Sequence, residues 1–322
     1  MSILETSFTR LVGCEVPIQL AGMGSILSPE LAAAVSNAGA LGQITFAGIE
    51  VDDAKQQLEK LTSLTSKPFG VNLLIPYLDR KILEMAVPKA KVIDFFWGDP
   101  DPELVRLVHE GGALASWQVG SVAEAIAAEK AGCDFIIAQG IEAGGHIRGT
   151  LGLLPLLTQV LDKVSIPVLG AGGIGSGRSI AAVMAAGASG VRMGTRFIAA
   201  AESNAHPDYV RAIISAQAED SVHTNRFEVE CPLCPSTHGV LRSALEAAEA
   251  FQGSYVAEFA GEPVARFRGT PPNKGFTGNI GAMACYAGQS VGEVRGVQPA
   301  AEIVAELAGD AEKYLRHSAV SA

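Results

Sequence analysis

The residues best suited to chemistry lie in QGIEAGGHIRG, residues 139–149. His146 follows Gly144 and Gly145, two glycines that let the backbone approach a flat or anionic group closely. Its imidazole titrates nearest neutrality of any side chain, so it can give or take a proton. Glu142 either orients that imidazole or caps the helix that follows, and the sequence leaves both open. Amides recur nearby in kind: Asn72 in FGVNLL, Gln118 in SWQVG and Gln139 in IAQG. Each offers both donors and an acceptor, which suits the edge of a heteroaromatic ring. Met23, between Gly22 and Gly24 in LAGMGS, carries a flexible thioether that packs on a flat ring or in an ordinary core. One histidine and several amides, with no carboxylate pair and no metal-ligand cluster, point to redox chemistry carried by a bound cofactor rather than to hydrolysis.

Those residues end β-type runs. The runs begin at Pro17, Leu41, Phe69, Val92, Ala113, Phe135, Pro167 and Gly190, and helical patterns lie between most of them. A helix, a glycine and a buried strand recur around Gly39, Gly112, Gly132 and Gly187, where a helix C-terminus needs positive φ. Eight alternating units predict a closed (β/α)8 TIM barrel with its working face at the C-terminal ends of the strands. After Thr195 the pattern dissolves into turns and charges. Residues 201–275 are therefore expected to form an insertion capping the mouth, with 1–200 and 276–322 supplying the barrel and a C-terminal segment that ends in an Ala/Glu-rich helix.

The stretch IPVLGAGGIGSG, residues 166–177, spells G-x-G-x-x-G between a strand and a helix. A dinucleotide fold would demand an acid about 20 residues further on, at the end of the next strand. Met193, Gly194, Thr195 and Arg196 stand there instead. A barrel makes another demand, a phosphate site between the loops after the seventh and eighth strands. Gly172 and Gly173 end the seventh run, and Gly194 and Thr195 end the eighth. Glycines serving only as tight turns explain one such loop more readily than two adjacent ones.

Bulk properties narrow the partners. Lys and Arg number 24 against 34 Asp and Glu, a net charge of −10, which disfavours a sequence-independent grip on nucleic acid and polybasic membrane attachment. The N-terminal residues lack a basic and apolar leader pattern, and no stretch approaches about 18 apolar residues, so a cytoplasmic location is expected. Five scattered cysteines argue against a disulfide framework. Cys231 and Cys234 form a lone C-x-x-C with half the ligands of a zinc site; His223 and His238 are close enough in sequence to complete one in principle, but the proline-stiffened loop favours no metal. His109, His206, His223, His238 and His317 are expected at the surface or in packing.

In this order, PIQLAGMGS, PFGVN, GSVAEAIAAEKAGCDFIIAQGIEAGGHIRG, IPVLGAGGIGSGRSIAAVMAAGASGVRMGTRF and YAGQSVG resemble the nitronate monooxygenase family, formerly 2-nitropropane dioxygenases. The resemblance covers about Pro17 to Thr195 and resumes near Gly278 to Gly292. It implies a barrel holding FMN. Ala21, Gly22 and Met23 would line the flavin, Asn72, Gln118, Gln139 and Gly145 would border it, and Gly172, Gly173, Gly194 and Thr195 would hold its phosphate. His146 matches the family's catalytic histidine, and Gln289 and Ser290 would approach from the C-terminal segment. The implied reaction oxidises alkyl nitronates with molecular oxygen to a carbonyl compound and nitrite. The same motifs occur in NAD(P)H-dependent reductases of enoyl-acyl-carrier-protein or quinone type, which is the alternative. A homo-oligomer is compatible with the terminal helix.

Overall fold

The computed structural model describes residues 2–320. Its first nine strands are β1 (Ile18–Leu20), β2 (Gly42–Phe46), β3 (Phe69–Leu74), β4 (Val92–Phe96), β5 (Leu114–Val119), β6 (Phe135–Gln139), β7 (Gly145–Ile147), β8 (Val168–Ala171) and β9 (Gly190–Met193). All but β7 form one parallel sheet in the order β1-β9-β8-β6-β5-β4-β3-β2. Its two ends meet, because Leu20 N–H donates to Leu41 O at 2.9 Å and Leu41 N–H donates to Ile18 O at 2.9 Å. The sheet closes into the expected (β/α)8 barrel.

Local sequence accounts for this order. Most of the barrel strands are buried along their whole length, as strands covered on both faces must be. Ser28, Asp79, Asp101, Ser121 and Ser176 each cap a following helix by accepting from a first-turn N–H. The four recurring glycines have φ of +90° (Gly39), +88° (Gly112), +96° (Gly132) and +107° (Gly187), so each supplies the left-handed residue its helix end requires.

The barrel interior is layered. At the N-terminal end Phe8, from the helix Ser7–Val12, packs edge-on against Phe135 with ring centroids 5.3 Å apart and joins Leu41, Val92 and Leu169 in an apolar plug. Above it lies a polar layer. Asp94 accepts from Ser116 Oγ at 2.9 Å and from Asn72 Nδ2 at 2.7 Å, and lies 2.7 Å from the Arg192 guanidinium. Arg192 in turn donates to Gln118 Oε1 at 2.6 Å and Gln19 Oε1 at 3.2 Å. The bottom is thus sealed and the chemistry is confined to the top.

The insertion enters between β9 and the helix that completes the eighth unit. That helix is the terminal one, Ala300–Val320, which packs against the helices Gly177–Ala185 and Pro29–Asn37. The inserted strands are β10 (Ser221–Thr224), β11 (Thr237–Leu241), β12 (Tyr255–Phe259), β13 (Glu262–Ala265) and β14 (Phe276–Gly278). They make two small sheets, β10-β11-β7 and β13-β12-β14. The second sheet straddles the boundary expected at 275/276. Phe276, Ile280, Ala282, Met283 and Ala284 pack with Val256 and Val264, so the capping unit runs past residue 275.

Candidate active site

The strand ends surround a cavity of about 300 Å3 at the barrel mouth. Ala21, Gly22 and Met23 follow β1 and form one wall, and Asn72, Gln118 and Gln139 reach it from β3, β5 and β6. Gly145, His146, Gly172, Gly173, Gly194, Thr195 and Ser290 line the remainder. Gln289 does not. It is exposed, and its backbone N–H donates to Glu142 O at 2.9 Å. Gly288 lines the cavity in its stead. The reason is contact between two loops: a Cβ on Gly144 would come within 2.6 Å of Gly288 N, so backbone meets backbone and the Gln289 side chain is turned away.

One end of the cavity is a set of backbone donors. Gly172 and Gly173, directly after β8, have φ of +105° and +69°. Their N–H groups and that of Gly194 make no hydrogen bond to another group among the described residues. Buried or half-buried N–H groups are nearly always paired, so three free ones at a barrel mouth suit an anion. Thr195 Oγ1 accepts from Gly288 N–H at 3.0 Å, which leaves its own proton to donate. This donor set fits a phosphate.

The amides divide by what already occupies them. Gln118 has its oxygen on Arg192 and its NH2 free among the described residues, so it can meet a ring edge. Asn72 accepts from Thr45 Oγ1 at 3.1 Å and donates to Asp94. Gln139 has both ends on backbone: Nε2 donates to His146 O at 3.0 Å and Oε1 accepts from Arg148 N–H at 3.0 Å. Its part is to hold the loop bearing His146 rather than to offer a free edge. The buried pair Asp94 and Arg192 was not singled out from sequence, although a charge within each of the apolar runs VIDFF and GVRM signals an inward-facing ion pair.

His146 lines the same cavity within a cage of rings. Centroids lie 5.7 Å away for Trp97, 5.7 Å for Tyr286 and 4.4 Å for His238. Burial, and the charge of His238 if protonated, hold the imidazole down at about 3. It is therefore a neutral ring with one acceptor nitrogen at ordinary pH. Glu142 is not its partner, because both carboxylate oxygens accept from Leu153 N–H, at 3.0 and 2.9 Å. Of the two roles open in sequence, Glu142 caps the helix Leu153–Leu161, whose own N-cap residue Gly152 has no side chain to do so.

Of the histidines expected at the surface or in packing, one is buried beside the site and another is exposed. His238 is buried and is the cross-strand partner of His146 in the β11–β7 pairing. His223 bonds Ile141 O at 2.8 Å and stays exposed. Cys231 and Cys234 are joined in a disulfide, whereas Cys14, Cys133 and Cys285 are free thiols that burial pushes up to about 12.

A closed parallel barrel with a redox-type mouth defines an oxidoreductase scaffold, and comparison with known proteins agrees. The nitronate monooxygenase family profile matches residues 5–80 and 76–310. A probable nitronate monooxygenase of Staphylococcus aureus (strain N315) is 34% identical over 270 residues, covering 69% of this chain and 76% of that protein. FabK from Thermotoga maritima superposes with a TM-score of 0.81 at 30% identity, covering 99% of each chain. A nitroalkane oxidase from Streptomyces ansochromogenes superposes with a TM-score of 0.80 at 29% identity, covering 97% of this chain and 99% of that one. The chain belongs to the nitronate monooxygenase family and is an oxidoreductase. No helix among the described residues is long and apolar enough to cross a membrane.

Proposed function

We propose that the chain binds FMN at the barrel mouth and oxidises alkyl nitronates with molecular oxygen to a carbonyl compound and nitrite. The N–H groups of Gly172, Gly173 and Gly194, with the Thr195 hydroxyl, would hold the phosphate. Ala21, Gly22 and Met23 would lie along the ring system, and the free amide of Gln118 would meet its polar edge. When bound, the flavin would supply the electron-accepting chemistry of the oxidation. His146 contributes the proton step. As a neutral imidazole it accepts the α-proton of an uncharged nitroalkane, and the imidazolium so formed is compensated by the nitronate anion made beside it. Trp97 and Tyr286 flank the ring and keep water from it. A nitronate supplied ready-made needs no such proton transfer.

The reading rests on one arrangement: free backbone donors at one end of a cavity and a neutral, ring-caged imidazole in the same cavity. It is tested with purified, FMN-loaded protein. The flavin absorbance is expected to bleach anaerobically on adding a nitronate, with nitrite released in air. Bound flavin that does not bleach would remove the substrate and leave the fold standing. A second reading is NAD(P)H-dependent reduction of an enoyl thioester or a quinone on the same scaffold. It is favoured by the match to FabK, which runs through the cap. Rapid anaerobic bleaching by NADH or NADPH in a stopped-flow instrument would select it.

A further inference from the structure

Sulfur and imidazole ligands cluster at the barrel mouth. Cys231 and Cys234 lie on the loop between β10 and β11, and His238 follows four residues later on β11. Antiparallel pairing of β11 with β7 sets His238 directly opposite His146. Cross-strand partners share one face of the sheet, so both imidazoles turn toward the same loop. His146 Nε2 is 3.2 Å from Cys231 Sγ, and His238 Nε2 is 3.6 Å from Cys234 Sγ. The four ligand atoms all lie within 4.8 Å of one another.

Three features of this cluster are those of a metal site. Bond lengths of about 2.3 Å to sulfur and about 2.05 Å to nitrogen set a tetrahedral N···S edge of about 3.6 Å, close to both contacts. The ring of His238 is held from behind, since Nδ1 lies 3.2 Å from Thr224 O. Donation to that carbonyl, the outer contact that ligating histidines usually make, puts the proton on Nδ1 and leaves the Nε2 lone pair toward Cys234 Sγ and Ser236 Oγ, the latter 3.3 Å away. Two thiolates would also neutralise a divalent ion in a setting where an uncompensated charge is costly.

We propose that, once its cysteine pair is reduced, the protein binds one zinc ion through Cys231, Cys234, His238 and His146 in the wall of the substrate cavity. A dithiol reductant supplies two electrons and two protons, itself becoming a disulfide, and the Cys231–Cys234 bond opens to two thiols. Zinc then displaces both thiol protons. With Nε2 of His146 on the metal, Nδ1 carries the ring proton and the imidazole has no lone pair left for substrate. Zinc loading and proton abstraction by His146 therefore exclude each other, and the thiol–disulfide state of the loop decides whether the base is available.

Metal binding can be read without flavin or substrate, so its test does not use turnover. The full-length protein, reduced under argon and desalted, is titrated with zinc or with cobalt(II) as a coloured probe. About one metal per chain is expected in the reduced form and under about a tenth in the disulfide form, because a disulfide leaves the two histidines without thiolate partners. Cobalt should give thiolate charge-transfer bands and the intense visible bands of a tetrahedral ion. Cys234→Ser and His238→Ala should each weaken binding at least about 10-fold, with folding checked by circular dichroism. Reduced wild-type protein that takes up no stoichiometric metal, or that gives an octahedral cobalt spectrum, overturns the proposal without needing any variant. Binding that survives both substitutions overturns it as well.

Discussion

At the scale of single residues, the roles separate by what each side chain already holds. His146 has an acceptor nitrogen that burial keeps unprotonated, whereas Asp94 and Arg192 are committed to each other at the cavity floor, which Arg192 helps to line. Replacing His146 with Ala should lower kcat/KM for a neutral nitroalkane by about 10²- to 10⁴-fold, the usual worth of a positioned base. The effect on a preformed nitronate should be far smaller. Steady-state kinetics with both forms of one compound measures the ratio, and an equal loss on both would mean that the ring positions substrate rather than moving a proton. Asp94 is a different case. Asp94→Ala leaves the Arg192 charge buried without its partner, which costs about 3–5 kcal/mol. Urea denaturation should show that loss, and a change within 1 kcal/mol, as an order of magnitude, would mean the polar layer rearranges freely.

Among the elements, loops after β6, β8 and β9 meet at the mouth, and their backbones rather than their side chains do much of the work. Gly172 has φ of +105°, and a Cβ there would lie 2.9 Å from Gly140 O. Gly172→Ala should therefore strain the β8 loop by about 1–3 kcal/mol and disperse the donor set. Fluorescence titration should find FMN affinity at least about 10-fold weaker, and unchanged affinity would detach the phosphate from this loop. Glu142 tests the other side of the same junction. Because it caps the helix Leu153–Leu161, Glu142→Ala should cost about 1 kcal/mol in thermal unfolding; a fall in activity as large as that of His146→Ala would restore it as the imidazole's partner. The barrel elements were legible because apolar runs, capping residues and left-handed glycines repeat with each unit. The glycine loops were legible for the same reason. The pairing of β11 with β7 was not, since a three-residue strand such as β7 carries almost no periodic signal, and with it went the approach of His238 to His146. The role of Gln139 was hidden too. An amide at a strand end reads alike whether it faces a ligand or the backbone of its own loop.

Over the whole molecule, the chain leaves the barrel after β9 and returns only with its last helix, so the eighth unit is completed across the entire cap. Ile303, Val304, Leu307 and Ala311 of that helix are buried in the main core. At about 1.5–3 kcal/mol for each large side chain, their burial is comparable with the net stability of an ordinary domain. The helix is thus part of the barrel rather than an appended tail. It also reaches the site. Arg196, buried in the short helix Thr195–Ile198 beside the donor set, lies 3.3 Å from Glu306 and donates to Gln298 Oε1 at 2.6 Å. Two effects of Glu306→Ala should then part company. The carboxylate is about half exposed, so its loss should change thermal stability by less than about 1 kcal/mol. The guanidinium it leaves behind is buried, with Nη1 already unpartnered among the described residues, and the turn that carries Thr195 must adjust to it. FMN affinity should fall several-fold while the melting transition barely moves. Affinity that tracks stability, or that does not change, would show that the terminal helix closes the barrel without bracing its phosphate end.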